Sequence, residues 1–172
     1  MKKIFVLLLL PFMFVACGST EKPTQDVNPL LSAFDTPFGI PPFDQIDNEH
    51  YLPAYQVAIE ERQAAIDAIV NNTEAPNFEN TIVAYDRAGE MLSRISPVFG
   101  GLRSAHTNPR LQEIARETTP MLTAHSNSIR MNQELFDRIR TVYEERESLG
   151  LDLEQMRVVE AYYRDFERGG AA

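Results

Sequence analysis

Asn77, Asn108, Asn132 and Asp152 each stand directly before a run whose apolar residues recur every three or four positions, a pairing that confines this chain to packed helices. A short polar side chain ahead of such a run accepts hydrogen bonds from the first free backbone N–H groups, so cap and stripe together mark where a helix starts. A first helix is capped by Asp47 or Asn48 and carries Tyr51, Tyr55, Ile59, Ile66, Ile69 and Val70 at helical spacing. It tolerates Pro53 in its opening turn and stops at Asn71-Asn72. The second runs from Asn77 with Ile82, Tyr85, Leu92, Ile95, Phe99 and Leu102 as one stripe, bent at Pro97. The third begins at Asn108-Pro109 and presents Leu111, Ile114, Met121, Leu122, His125 and Ile129, with a kink or break expected at Pro120. The fourth places Leu135, Ile139, Val142 and Tyr143 inward and ends near Leu149-Gly150. The fifth carries Leu153, Met156, Val159, Tyr162, Tyr163 and Phe166. No strand-like alternation stands beside these stripes, and the connections are short. The class is all-α, an antiparallel bundle of about five helices.

Ahead of the bundle, Lys2-Lys3, the apolar run from Ile4 to Val15 and then Ala16-Cys17-Gly18 form the tripartite pattern of a bacterial secretory signal. The run is too short to span a bilayer, which takes about 20 apolar residues. Cys17, the single cysteine of the chain, sits where a lipoprotein signal peptidase would cut, so residues 1–16 read as a signal peptide and Cys17 as a lipidation site. The chain is then a lipoprotein anchored to a membrane of the bacterial cell envelope, at the periplasmic or outer-membrane face. Residues 17–29 are polar at first, include Pro23, and read as a flexible tether; residues 30–172 form the helical domain. One cysteine excludes an intramolecular disulfide.

The chain has 16 basic and 25 acidic residues, a net charge of −9, and loss of Lys2 and Lys3 with the leader makes it more acidic. Arg103, Arg110 and Arg116 are scattered among acids without forming a basic stripe, which excludes nucleic acid as a partner. Glu60-Glu61 and Glu144-Glu145 read as solvated helix faces.

Between tether and first helix, Phe34, Phe38 and Phe43 alternate with Pro37, Pro41 and Pro42. Proline fixes φ and removes the N–H, so this segment is extended and its rings must pack against something other than a helix of their own. The order Asn28-Pro29-Leu30-Leu31, Pro37-Phe38-Gly39-Ile40-Pro41-Pro42-Phe43, then Asn48 to Tyr55 and Pro76-Asn77-Phe78-Glu79-Asn80-Thr81-Ile82, resembles the amino-terminal end of the thimet oligopeptidase family, in its peptidyl-dipeptidase and oligopeptidase A branch. Tyr162-Tyr163 and Arg168-Gly169-Gly170-Ala171 resemble a later point, where that family turns into another long helix. The likeness spans residues 28–171. It implies the amino-terminal helical region of a zinc metallopeptidase, one wall or lid of a channel that admits short peptides. It also implies a chain cut before its catalytic domain, supplied in cis or as a split product, and hence a partly uncovered apolar face on the fifth helix at Val159, Tyr162, Tyr163 and Phe166.

That family's zinc sits on His-Glu-x-x-His, two imidazoles one helical turn apart with a carboxylate to activate water. Here His50 is followed by Tyr51, His106 by Thr107 and His125 by Ser126, so none is paired in this way. His50 reads as a capping or packing residue and His106 as a cation at a helix end. His125 reads as a core histidine bonded to a backbone carbonyl. No Gly-x-Ser-x-Gly elbow is present, and Gly100-Gly101 lacks the Lys-Ser/Thr of a phosphate loop and reads as a point of close helix approach. Catalytic and metal residues are therefore assigned to none, no cofactor is assigned to this chain, and substrate-binding residues stay unknown. Two readings remain: the channel-wall region of a lipid-anchored peptidase, inactive alone, or a self-standing helical lipoprotein that acts as a binding module.

Overall fold

A computed structural model describes residues 27–170. Residues 1–16, read above as a signal peptide, Cys17, read as a lipidation site, and most of the segment read as a tether lie outside the described residues. Among those described there is no strand, and the elements are α1 (Tyr51–Val70), α2 (Ala84–Arg87), α3 (Glu90–Ala105), α4 (Pro109–Arg130), α5 (Gln133–Glu145) and α6 (Leu153–Gly169). The bundle is all-α, as the stripes require.

The caps act as the sequence dictates. The side chains of Asn108 and Asn132 each accept from a backbone N–H at 2.9 Å, those of Leu111 and Leu135, and Asp152 accepts from Glu154 and Gln155. The chain enters α1 through a 3-10 turn, Asn48–His50, capped by Asp47 as expected, with His50 Nδ1 accepting in return from the Asp47 N–H at 3.0 Å. Asn28 accepts from the Leu30 N–H and donates to the His50 carbonyl at 2.7 Å. Leu30 is thereby held with no exposed surface.

One expected helix proves to be divided, and neither internal proline breaks its helix. The second stripe is not one helix: it opens with a π-helical stretch, Phe78–Val83, runs on as the short α2, and stops at Ala88 before α3 begins. The break comes at Gly89, whose φ of 109° is open to glycine and costly for a side chain, whereas Pro97 lies inside an unbroken α3. Pro120 does not interrupt α4 either. Proline removes one N–H and leaves the remaining ladder intact, and packing of the flanking turns through Ile114, Thr118, His125 and Ile129 holds the helix together.

Two apolar clusters form the interior. The first joins Leu30, Tyr51, Tyr55 and Ala58 to Ile95, Phe99, Leu111 and Ile114, with the Phe99 ring 4.9 Å from that of Tyr51 and 5.7 Å from that of Tyr55. The second joins Ile66, Ile69 and Ile82 to Ile129, Phe136, Ile139, Val159 and Phe166. Here the apolar face of the fifth predicted helix, now α6, is covered at Val159 and Phe166 and half-buried at Val158, Tyr162 and Tyr163. Val159 and Phe166 have no exposed surface, and Tyr163 stacks on Tyr143 at 4.1 Å and on Phe136 at 5.7 Å. These rings find their partners on α5, against which α6 is antiparallel. Leu153, assigned inward from its spacing, is 75% exposed because it occupies the first turn, beyond the reach of α5.

The Pro/Phe segment also departs from expectation. Phe34 packs on the first cluster with the Arg94 guanidinium 6.0 Å from its ring, but Phe43 is half exposed and Phe38 fully so, at φ 61°. The prolines on either side fix this turn without covering its rings. Gly100 and Gly101 face open space: no neighbouring atom would stand within 4 Å of an added Cβ, so no helix approaches there.

Candidate functional site

The three histidines are held apart. His50 is committed to its cap, His106 ends α3 on the surface, and His125 is buried in α4. Among the described residues no group of three or more His, Cys, Asp and Glu side chains could hold a metal ion. The described residues do not fit a zinc ion.

The polar side chains that do converge lie between the two apolar clusters. Along α1 the inward positions run Ala58, Arg62, Ile66 at intervals of four, so Arg62 occupies the register of a core residue and separates one cluster from the other. Along α4, His125 takes the same place between Leu122 and Ile129. The chain break at Ala88-Gly89 falls at this level too, with Ala88 in the second cluster and Met91 in the first. An open cleft of about 650 Å3 forms there, where Arg62, Asp86, Gly89, Ser93, Leu122 and Tyr162 meet from five helices and the break between two of them.

Gly89 makes room for the arginine. A Cβ at that position would stand 2.9 Å from Arg62 Cδ, closer than side-chain carbons come. The arginine Nε is buried with no hydrogen-bond partner, and so is Nε2 of His125. His125 is a core histidine, as its place on the stripe predicts. Across the cleft the Tyr162 hydroxyl donates to Asp86 Oδ1, and the Tyr85 and Tyr162 rings meet edge to face at 5.1 Å.

Burial and charge act on these groups in consistent directions. Burial lowers the His125 pKa from 6.5, and the Arg62 cation adds to the effect, so His125 is held neutral. Burial pushes the Tyr85 phenol up, against the opposing pull of Arg62. It pushes Tyr162 up as well, reinforced by the hydrogen bond to Asp86. The arrangement brings one cation, Arg62, and one carboxylate, Asp86, together with hydroxyls and an apolar wall in a single open cleft.

Arg62, Asp86 and Gly89 were not singled out by motif. Two signals were available: an arginine in the inward register of α1, and a glycine inside an otherwise apolar stripe.

No family model matches the chain. Individual proteins do: dipeptidyl carboxypeptidase of Escherichia coli is 41% identical over 145 residues, 84% of this chain and 21% of that protein. Oligopeptidase A of Salmonella typhimurium is 30% identical over 143 residues, 83% of this chain and 20% of that protein. Mitochondrial intermediate peptidase of Mus musculus is 24% identical over 158 residues, 91% of this chain and 21% of that protein. The chain spans about a fifth of the length of the curated relatives it matches.

Proposed function

We propose, from the premise that this chain belongs to the thimet oligopeptidase family of metallopeptidases, that it is the amino-terminal channel-wall region of a peptidase acting on short peptides. Identity of 41% over 145 residues to a dipeptidyl carboxypeptidase carries the reading. The helical bundle supplies a wall and not chemistry, because the described residues bring no metal ligands together. Zinc, used by the family, would be held by catalytic residues elsewhere. Peptidyl-dipeptidase and oligopeptidase specificities both fit this region.

The test is a chimera in which residues 28–171 replace the matching segment of the E. coli dipeptidyl carboxypeptidase. Chelator-sensitive hydrolysis of a short peptide, well above that of the same enzyme with the segment deleted, is the expected result; activity no better than the deletion refutes the assignment. A second reading, a self-standing helical binding module, is favoured by the closed α5–α6 contact, where Phe166 and Val159 have no exposed surface. It predicts an inert chimera and a stable isolated chain.

Envelope anchoring through a diacylated Cys17 belongs to the proposal and rests on the leader pattern. Cys17→Ser should abolish incorporation of a fatty-acid analogue in cells, and equal labelling of both proteins would exclude the anchor.

A further inference from the structure

We propose that the loop at 37–43 seats Phe38, Ile40 and Phe43 in the interfacial region of a lipid bilayer and thereby fixes how the bundle faces the membrane. The inference goes beyond the peptidase reading and rests on the reading of Cys17 as the anchored residue.

Five of the eight large apolar side chains that stand exposed among the described residues lie within 27–43: Val27, Leu31, Phe38, Ile40 and Phe43. Single exposed hydrophobes are ordinary, whereas a cluster of them marks a surface that meets something other than water. Residues 36–43 carry no charge, although Asp35 and Asp44 stand directly on either side. The Phe38 ring is wholly exposed, yet its backbone is held at φ 61°, a conformation that bulky residues rarely adopt. A strained position whose ring contributes no packing does nothing for the fold itself, and such positions gather where a surface makes contact.

The backbone of the loop suits a medium poor in hydrogen-bonding water. Pro37, Pro41 and Pro42 have no N–H to satisfy, and Gly39, Ile40 and Phe43 donate theirs to the carbonyls of Thr36, Pro37 and Pro41. Its base is fixed on the bundle. Phe34 packs on the first apolar cluster beside the Arg94 guanidinium, which also donates to the Leu30 carbonyl at 3.4 Å.

A bilayer is the occupant that the course of the chain brings to this loop. Val27 shares a small cleft with Phe34 and Pro42 at the foot of the loop. Cys17 lies ten residues earlier, so the intervening segment spans at most about 35 Å even when fully extended. An acylated Cys17 keeps the loop within reach of the membrane at high effective concentration, and the loop then needs little affinity of its own. Asp35, Asp44 and Asp47 flank the tip and the chain is acidic, so the attraction is apolar and gains nothing from anionic headgroups.

The test couples the chain from Cys17 onward, through that single thiol, to a maleimide-bearing lipid in phosphatidylcholine vesicles. The thioether stands in for natural acylation, so the outcome is independent of whether Cys17 is acylated in cells, which fatty-acid labelling decides separately. The chain has no tryptophan, and Phe38→Trp or Leu153→Trp places a single reporter on the loop or at an exposed site on α6. Brominated lipid should quench the loop reporter at least threefold more than the α6 reporter. Phe43→Asp in the Phe38→Trp chain should bring the two level, and replacing half the phosphatidylcholine by phosphatidylglycerol should not strengthen the quenching. Equal quenching of the two reporters, quenching that survives Phe43→Asp, or quenching that rises with phosphatidylglycerol would overturn the proposal. So would a blue-shifted Phe38→Trp emission that appears without vesicles and grows with protein concentration, which would assign the loop to a second copy of the chain.

Discussion

His125 is the residue whose surroundings leave the clearest mark on solution behaviour. It is 8% exposed, its Nε2 has no partner, and the Arg62 cation stands near enough to disfavour a second charge. Burial therefore holds its folded pKa below the ordinary 6.5, and the unfolded chain takes up the proton first on acidification. The sign follows directly. Stability from this group is full above the unfolded value and is lost as pH falls from about 6.5 toward the folded value. His125→Gln keeps a neutral polar side chain of similar size, so its urea midpoint should drop less between pH 7.5 and pH 5.5 than that of the wild type. Parallel drops in the two proteins would mean that His125 protonates equally well in both states. Tyr51 is the corresponding case without a functional consequence: burial, with Tyr55 beside it, pushes its phenol up to about 12, so it stays neutral at any ordinary pH.

At the scale of the elements, Gly89 decides where the second stripe divides. Its φ of 109° lies in the left-handed region, where a Cβ meets the following carbonyl at a cost of roughly 1–2 kcal/mol, and here that Cβ would also press on Arg62. Gly89→Ala should lower unfolding stability by at least that amount, whereas Gly100→Ala, at a helical position facing open space, should be neutral or stabilise by about 0.5–1 kcal/mol. Equal effects of the two substitutions would remove the argument from φ. Asp152→Ala removes the acceptor for two N–H groups of α6 and should cost about 1 kcal/mol by chemical denaturation. These cases also mark what the sequence made legible. Helix starts were readable because an Asn or Asp cap is a local device, set by one side chain and the two or three residues after it. Pro97 and Pro120 do not break their helices because each removes one hydrogen bond, a loss that tertiary packing outweighs. The break at Gly89 escaped notice because an apolar stripe continues in register on both sides of it. The cleft was hidden for a related reason: Arg62, Asp86 and Tyr162 come from distant parts of the chain, and each alone looks like an ordinary helix-surface residue.

Taken whole, the molecule is two apolar clusters strung along one helix with a polar layer between them. α1 contributes Tyr51, Ala54, Tyr55 and Ala58 to the first and Ile66 and Ile69 to the second. At the level of Arg62 and His125 the bridging positions are a cation and a neutral imidazole, which add little apolar contact across the boundary. A helix twenty residues long can transmit order between the halves, yet it does so through backbone hydrogen bonds and not through shared packing. Local opening of one half should then leave much of the other protected, as expected where buried contacts are concentrated in separate units. Phe166→Ala tests this, since the ring has no exposed surface, stacks on Phe136 at 6.3 Å and meets Tyr85 at 5.5 Å. Its truncation should cost about 3–5 kcal/mol within the second cluster. Amide hydrogen exchange should then accelerate across α5, α6 and the carboxy-terminal half of α1, while Ile95 to Phe99 in α3 keep most of their protection. If the bundle is instead one cooperative unit, exchange rises by the same factor in α3 as in α6. In that outcome the polar layer couples the halves and does not divide them.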